Sequence, residues 1–106
     1  MKKGYWSGQV MEVKNAEKWN KYLEKYTAIA QNEAQNNTGN YKPIGMGVPA
    51  KIIQGENLMY AALVEFNSLQ DALDCYNSES YQEALKELGE NPKDTVIRNL
   101  SIVEGV

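Results

Sequence analysis

The segment that constrains this chain most is Leu58 to Phe66, Leu-Met-Tyr-Ala-Ala-Leu-Val-Glu-Phe, which runs straight into a helix start at Ser68-Leu69-Gln70-Asp71. Its apolar residues do not alternate with polar ones. A half-buried strand alternates, so this run predicts a strand shielded on both faces. The rest of the chain offers about two helices, enough to cover one face of a small sheet. A second copy of the chain is the expected cover for the other face.

Gly4 to Val13 reads as the first strand, with large groups on both sides at its start and Gly8 marking a bulge or close approach. Asn15 is an N-cap for a long helix over Ala16 to Asn36. Trp19, Tyr22, Leu23, Tyr26, Ile29 and Ala30 form its apolar stripe, and the Asn36 to Asn40 segment with Gly39 ends it. Tyr41 to Ile53 reads as an irregular edge strand, since Pro43, Gly45, Gly47 and Pro49 interrupt it, with a bulge expected near Gly47. Gln54 to Asn57 is a turn back into Leu58 to Phe66.

Ser68 with Asp71 resembles a capping box for the second helix. Asn77-Ser78 interrupts that helix, and Ser80 with Glu83 predicts a restart that runs to Gly89. Asn91 to Asp94 is a loop, and Thr95 to Val103 is the last strand. The order β-α-β-β-α-β predicts an α+β fold of ferredoxin-like type, a four-stranded antiparallel sheet with both helices on one face. Two bare faces packed together would make a dimeric α+β barrel with a small enclosed space.

With 106 residues the chain reads as one domain over 1–106. The formal net charge of −3 supplies no basic field for nucleic acid or a membrane surface. No stretch approaches the ~20 apolar residues of a membrane span. The single cysteine, Cys75, and the lack of an apolar run behind Met1-Lys2-Lys3 point to a reducing, cytoplasmic setting. There is no histidine, which excludes histidine-ligated zinc or haem and any imidazole acid, base or nucleophile pair. The carboxylates do not adopt a metal-loop spacing, and Gly45-x-Gly47 lacks the helix and third glycine of a phosphate loop. The expectation is no metal and no cofactor.

Several segments resemble one known family. They are the opening Gly4-Tyr5-Trp6-Ser7-Gly8-Gln9-Val10, then Val64-Glu65-Phe66-Asn67-Ser68-Leu69 with Ala72-Leu73, then Tyr76-Asn77-Ser78-Glu79-Ser80-Tyr81-Gln82, and the closing Val103-Glu104-Gly105-Val106. The chain is similar along nearly its whole length to the uncharacterised DUF1330 family of the dimeric α+β barrel superfamily. The resemblance implies a ferredoxin-like fold and a homodimer, and no established activity. Superfamily relatives include cofactor-independent monooxygenases, isomerases of small cyclic compounds and haem-handling enzymes. Two arginines frequent in the family's second strand correspond here to Lys42, which keeps the charge without the guanidinium fork, and Met46, which keeps none.

Each candidate residue has two readings. Asn77, Ser78 and Tyr81 are site residues by resemblance; otherwise Asn77 and Ser78 break and cap helices and Tyr81 is core. Tyr5 and Trp6 could stack on a flat ligand or serve as core and dimer contacts. Glu65, inside the most apolar strand, is a catalytic base if unpaired; otherwise it meets Lys42, Lys51 or Arg98, or solvent. The catalytic set is therefore Glu65, Asn77 and Tyr81, with Tyr5, Trp6, Lys42 and Ser78 for binding. Cys75 reads as a small buried apolar group. Two functions fit: a site for a small hydrophobic or aromatic metabolite with cofactor-independent oxygenase- or isomerase-like chemistry, or a non-catalytic ligand-binding or structural homodimer.

Overall fold

A computed structural model describes residues 1–35 and 40–106. It contains strands β1 (Gly4–Val13), β2 (Lys42–Gly47), β3 (Tyr60–Phe66) and β4 (Val96–Glu104), helices α1 (Ala16–Gln35), α2 (Leu69–Asn77) and α3 (Glu79–Lys86), and a 3-10 turn at Pro92–Asp94. The strands form one sheet in the order β2-β3-β1-β4, with every neighbouring pair antiparallel. This is the expected α+β, ferredoxin-like arrangement. The expected end of α1 at Asn36 and its cap at Gly39 lie outside the described residues. Among those described, no helix is long and apolar enough to cross a membrane.

Register assigns the two faces. Trp6 lies opposite Val64 and Ile102, whereas Tyr5 lies opposite Glu65 and Val103. Successive strand residues point to opposite faces. Trp6, Val64, Phe66 and Val96 join Tyr22, Ala72, Tyr81, Ala84 and Leu88 of the helical layer in one buried cluster. The helices therefore cover a single face. The doubly shielded strand is half realised within one chain: Val64 is 2% exposed, but Leu63, on the helix-free face, is 44% exposed. That face is also less apolar than the Leu58 to Phe66 run implied. Ser7, Gln9, Asn99 and Ser101 share it with Leu63 and Val103, and Gln9 Nε2 donates to Ser7 Oγ at 3.0 Å.

Local chemistry explains most boundaries. Asn15 Oδ1 accepts from the Lys18 amide at 3.1 Å, and Ser68 Oγ accepts from the Asp71 amide at 3.1 Å. Both are N-caps of the expected kind. The second restart differs from expectation: Ser78, not Ser80, opens α3. Its backbone is extended, its hydroxyl donates to the Cys75 carbonyl at 2.7 Å and accepts from the Tyr81 amide at 3.2 Å. One serine thus closes α2 and opens α3. The second strand is shorter than Tyr41 to Ile53, and its irregularity falls between Pro43 and Gly45 rather than at Gly47. The β1 bulge lies between Val10 and Glu12, beyond Gly8.

Gly4 starts β1 where the chain passes under α2. A Cβ there would sit 2.5 Å from the Ser68 carbonyl oxygen and 2.7 Å from Leu69 Cα. Neither atom belongs to a flexible side chain, so Gly4→Ala is expected to cost about 1–3 kcal/mol by overpacking. Urea unfolding tests this, and an unchanged midpoint would contradict it.

Candidate functional site

α1 reaches the core through aromatic rings, and its closest backbone partner is α3. Tyr22 of α1 and Tyr81 of α3 meet hydroxyl to hydroxyl at 2.8 Å. Tyr26 hydrogen-bonds the Tyr41 hydroxyl in the same way. Trp6 packs edge-on against Tyr81 with ring centres 5.1 Å apart, and its Nε1 donates to the Ala72 carbonyl at 3.0 Å. The cap at Ser78 sets the start of α3 and so aims Tyr81 into this cluster.

Between α1 and the sheet a cleft of about 510 Å³ remains. Both tryptophans of the chain, Trp6 and Trp19, line it, together with Tyr22, Tyr81 and Arg98, and Met46 and Met59 contribute from the β2–β3 side. The walls are otherwise mainly apolar, with no carboxylate among the lining residues. A volume of this order suits a small organic ligand. A second hollow of about 450 Å³, between the Pro92 turn and β4, carries no hydroxyl pair like that of Tyr22 and Tyr81. We therefore take the α1 cleft as the site.

Arg98 is the polar centre of the cleft. It pairs across from Val10 on β4 and points toward the helices, in line with Val96, Leu100 and Ile102. Its Nη1 donates to Tyr22 Oη at 3.1 Å. The guanidinium carbon lies 4.8 Å from the Tyr22 ring centre and 5.6 Å from that of Trp19. Those two rings are stacked on each other at 5.0 Å. Among the described residues no carboxylate forms an ion pair with Arg98. Burial opposes its charge, but the tyrosine oxygens favour it, and the balance leaves its pKa above the ordinary value.

The residues proposed from sequence fall in three places. Trp6 and Tyr81 line the cleft. Tyr5, Glu65 and Lys42 gather on the helix-free face: the Tyr5 hydroxyl donates to Glu65 Oε2 at 3.1 Å, and Lys42 is the register partner of Glu65. Glu65 is thus partnered, though by Tyr5 rather than by Lys51 or Arg98. Asn77 is the exposed last residue of α2, and Ser78 is the cap already described. The cleft unites neither Glu65 nor Asn77 with Tyr81. Cys75 is half-buried against the core. Among the described residues no group of three or more histidine, cysteine, aspartate or glutamate side chains is disposed to hold a metal.

The sequence reading passed over Arg98 as a site residue. A signal was present. Arg98 is the sole arginine in the chain, and it occupies the inward register of β4 between the apolar Val96 and Leu100.

Burial raises the pKa of the four core tyrosines. That of Tyr41 is pushed up to about 12, and those of Tyr22, Tyr26 and Tyr81 also rise, with Arg98 opposing the rise at Tyr22 and Tyr81. All four hydroxyls are therefore neutral at physiological pH. In the unfolded chain they ionise near about 10. The native state then holds its protons more tightly, so stability is full below that pH and declines as pH climbs toward the Tyr41 value. Melts across alkaline pH, read with tyrosinate absorbance, are expected to show these tyrosines ionising only as the fold is lost. Full tyrosinate absorbance near pH 10 with an unchanged melting temperature would contradict this.

Comparison with known proteins places this geometry among proteins of the same fold. Residues 3–106 match the family model described as Domain of unknown function (DUF1330). A protein of unknown function from Rhodopseudomonas palustris superposes with a TM-score of 0.67 at 12% identity, covering 99% of this chain and 83% of its own. A dimeric ferredoxin-like protein of unknown function from Jannaschia gives 0.62 at 18% identity, covering 96% and 98%. A candidate antibiotic biosynthesis monooxygenase from Caulobacter crescentus gives 0.56 at 13% identity, covering 99% and 90%. At these identities the likeness is one of fold. No curated protein sequence matches the chain.

Proposed function

Since this chain belongs to the DUF1330 family, whose description assigns a fold-bearing domain but no activity, we propose from its own cleft that it is a small-molecule-binding homodimer. Each copy is one domain over residues 1–106 and works in the cytoplasm. The single observation that carries this reading is the cleft under α1, an apolar space of about 510 Å³ with hydroxyls and one cation at its centre. The ligand is a small hydrophobic or aromatic metabolite that enters past the exposed Leu23 and Thr27.

The chemistry available there is charge stabilisation. Arg98 offers a positive field in a low-dielectric space, held in place by the buried, neutral Tyr22 and Tyr81 hydroxyls. Among the described residues the cleft lining holds no carboxylate or imidazole to serve as a base at neutral pH. A reaction in it would be oxygenase- or isomerase-like and would begin from a substrate acidic enough to ionise by itself, with the developing oxyanion held by Arg98. The candidate monooxygenase of the same fold supports that class by likeness only. The missing base equally favours a second reading, a non-catalytic ligand-binding homodimer.

Ala62 lines the cleft from β3 and makes no hydrogen bond by its side chain, so Ala62→Phe is expected to occupy part of it. Aromatic metabolites that quench or enhance tryptophan emission in the native chain are expected to lose their effect in this variant. Equal binding by both proteins would overturn the assignment of the site.

Dimerisation through the helix-free faces is supported by exposed Leu63 and Val103 and by the dimeric Jannaschia protein. Sedimentation of the native chain is expected to give the mass of two copies. Leu63→Arg is expected to shift it to one, because a buried unpaired charge is strongly disfavoured at an interface. A native chain that stays single at high concentration would contradict the dimer.

A further inference from the structure

Resting on the reading of the cleft as a ligand site, we propose that its ligand is a planar monocarboxylate recognised by Arg98. Three observations converge. The guanidinium has five N–H donors in a rigid fork. The tyrosine pair is its polar contact, with Nη1 donating to Tyr22 Oη, and no carboxylate of the described residues pairs with it. A half-buried guanidinium without a carboxylate partner keeps donors on its open side for an anion. The position is also selective: ten basic residues of this chain are lysines, and the sole arginine stands in the cleft. Arginine suits a two-pronged grip on a carboxylate in a way that lysine does not.

The hydroxyl pair orients the guanidinium. Tyr22 Oη accepts from Arg98, and one proton bridges Tyr22 and Tyr81. Both tyrosines are buried, so the pair fixes the fork from behind and Arg98 meets the ligand. The Tyr22 and Trp19 rings hold the guanidinium plane in place from below, which limits how the fork can turn. Beyond this polar centre the walls are apolar and aromatic, formed by residues such as Trp6, Val64 and Leu100. A flat hydrocarbon body fits that part, and its carboxylate meets Arg98. A neutral ligand of the same shape would leave the fork unfilled, and a dianion would bring a second charge into an apolar wall.

Cinnamate and its neutral amide, cinnamamide, have the same shape and differ in charge. In titrations followed by tryptophan emission, the native chain is expected to bind cinnamate at least about tenfold more tightly than cinnamamide. Arg98→Met is expected to erase that preference while retaining weak binding of both. Arg98→Lys, which keeps charge but not the fork, is expected to restore part of it. Circular dichroism and melting curves establish that each variant is folded. Equal binding of acid and amide by the native chain, or a preference that survives Arg98→Met, would overturn the carboxylate assignment and leave the cleft reading intact. Failure of both probes to bind the native chain would overturn the two together.

Discussion

The hydroxyl contact between Tyr22 and Tyr81 is the joint on which the helical layer depends. It ties α1 to α3 inside the core, with Trp6 of the central strand packed edge-on against the same Tyr81 ring. Rings rather than aliphatic side chains do the spacing. A tyrosine bridge satisfies both polar ends while its faces fill volume, so α1 can be anchored firmly without lying flush on the sheet along its whole length. The cleft is the space that this way of anchoring leaves. Leu23 and Thr27, which a fully seated helix would bury, line the opening and stay exposed.

Arg98 rests on that joint. Tyr22 and Tyr81 hydrogen-bond each other directly, and the Trp19 and Tyr22 rings stack on each other directly. What Arg98 adds is a positive charge that two ring faces and the tyrosine oxygens favour and that no carboxylate of the described residues neutralises. A ligand anion would supply that missing partner. The carboxylate Glu65, by contrast, sits on the opposite side of the sheet and is engaged by Tyr5, so the two opposite charges that could have cancelled are separated by the sheet itself.

Much of the architecture was legible in the sequence because its signals are local. Asn15 and Ser68 mark helix starts by hydrogen-bonding chemistry confined to four residues, and the aromatic stripe of α1 follows helical spacing. Signals failed where they depended on partners distant in sequence. Ser78 and Ser80 are equally good caps on paper; Ser78 is chosen because α3 must start where Tyr81 meets Tyr22, 59 residues away in sequence. Glu65 and Tyr81 look like companions in a family motif, yet strand parity sends Glu65 to the helix-free face while Val64 and Phe66 point inward. Arg98 was invisible as a site because a lone arginine in a strand is read as a surface charge or an ion-pair partner. Only the register of β4 against β1, and the packing of Trp19 and Tyr22 against the guanidinium, reveal the cleft.

The central claim is that Arg98 serves a ligand rather than the fold. The unfolding free energy of Arg98→Met without ligand tests it most directly. Methionine keeps the length and apolar contact of the side chain and removes the charge. The account predicts a stability within about 1 kcal/mol of the native chain, because replacing a half-buried cation that no carboxylate pairs by an apolar group of similar length is close to neutral. A loss of about 3–5 kcal/mol would instead make the guanidinium a structural staple and contradict the claim.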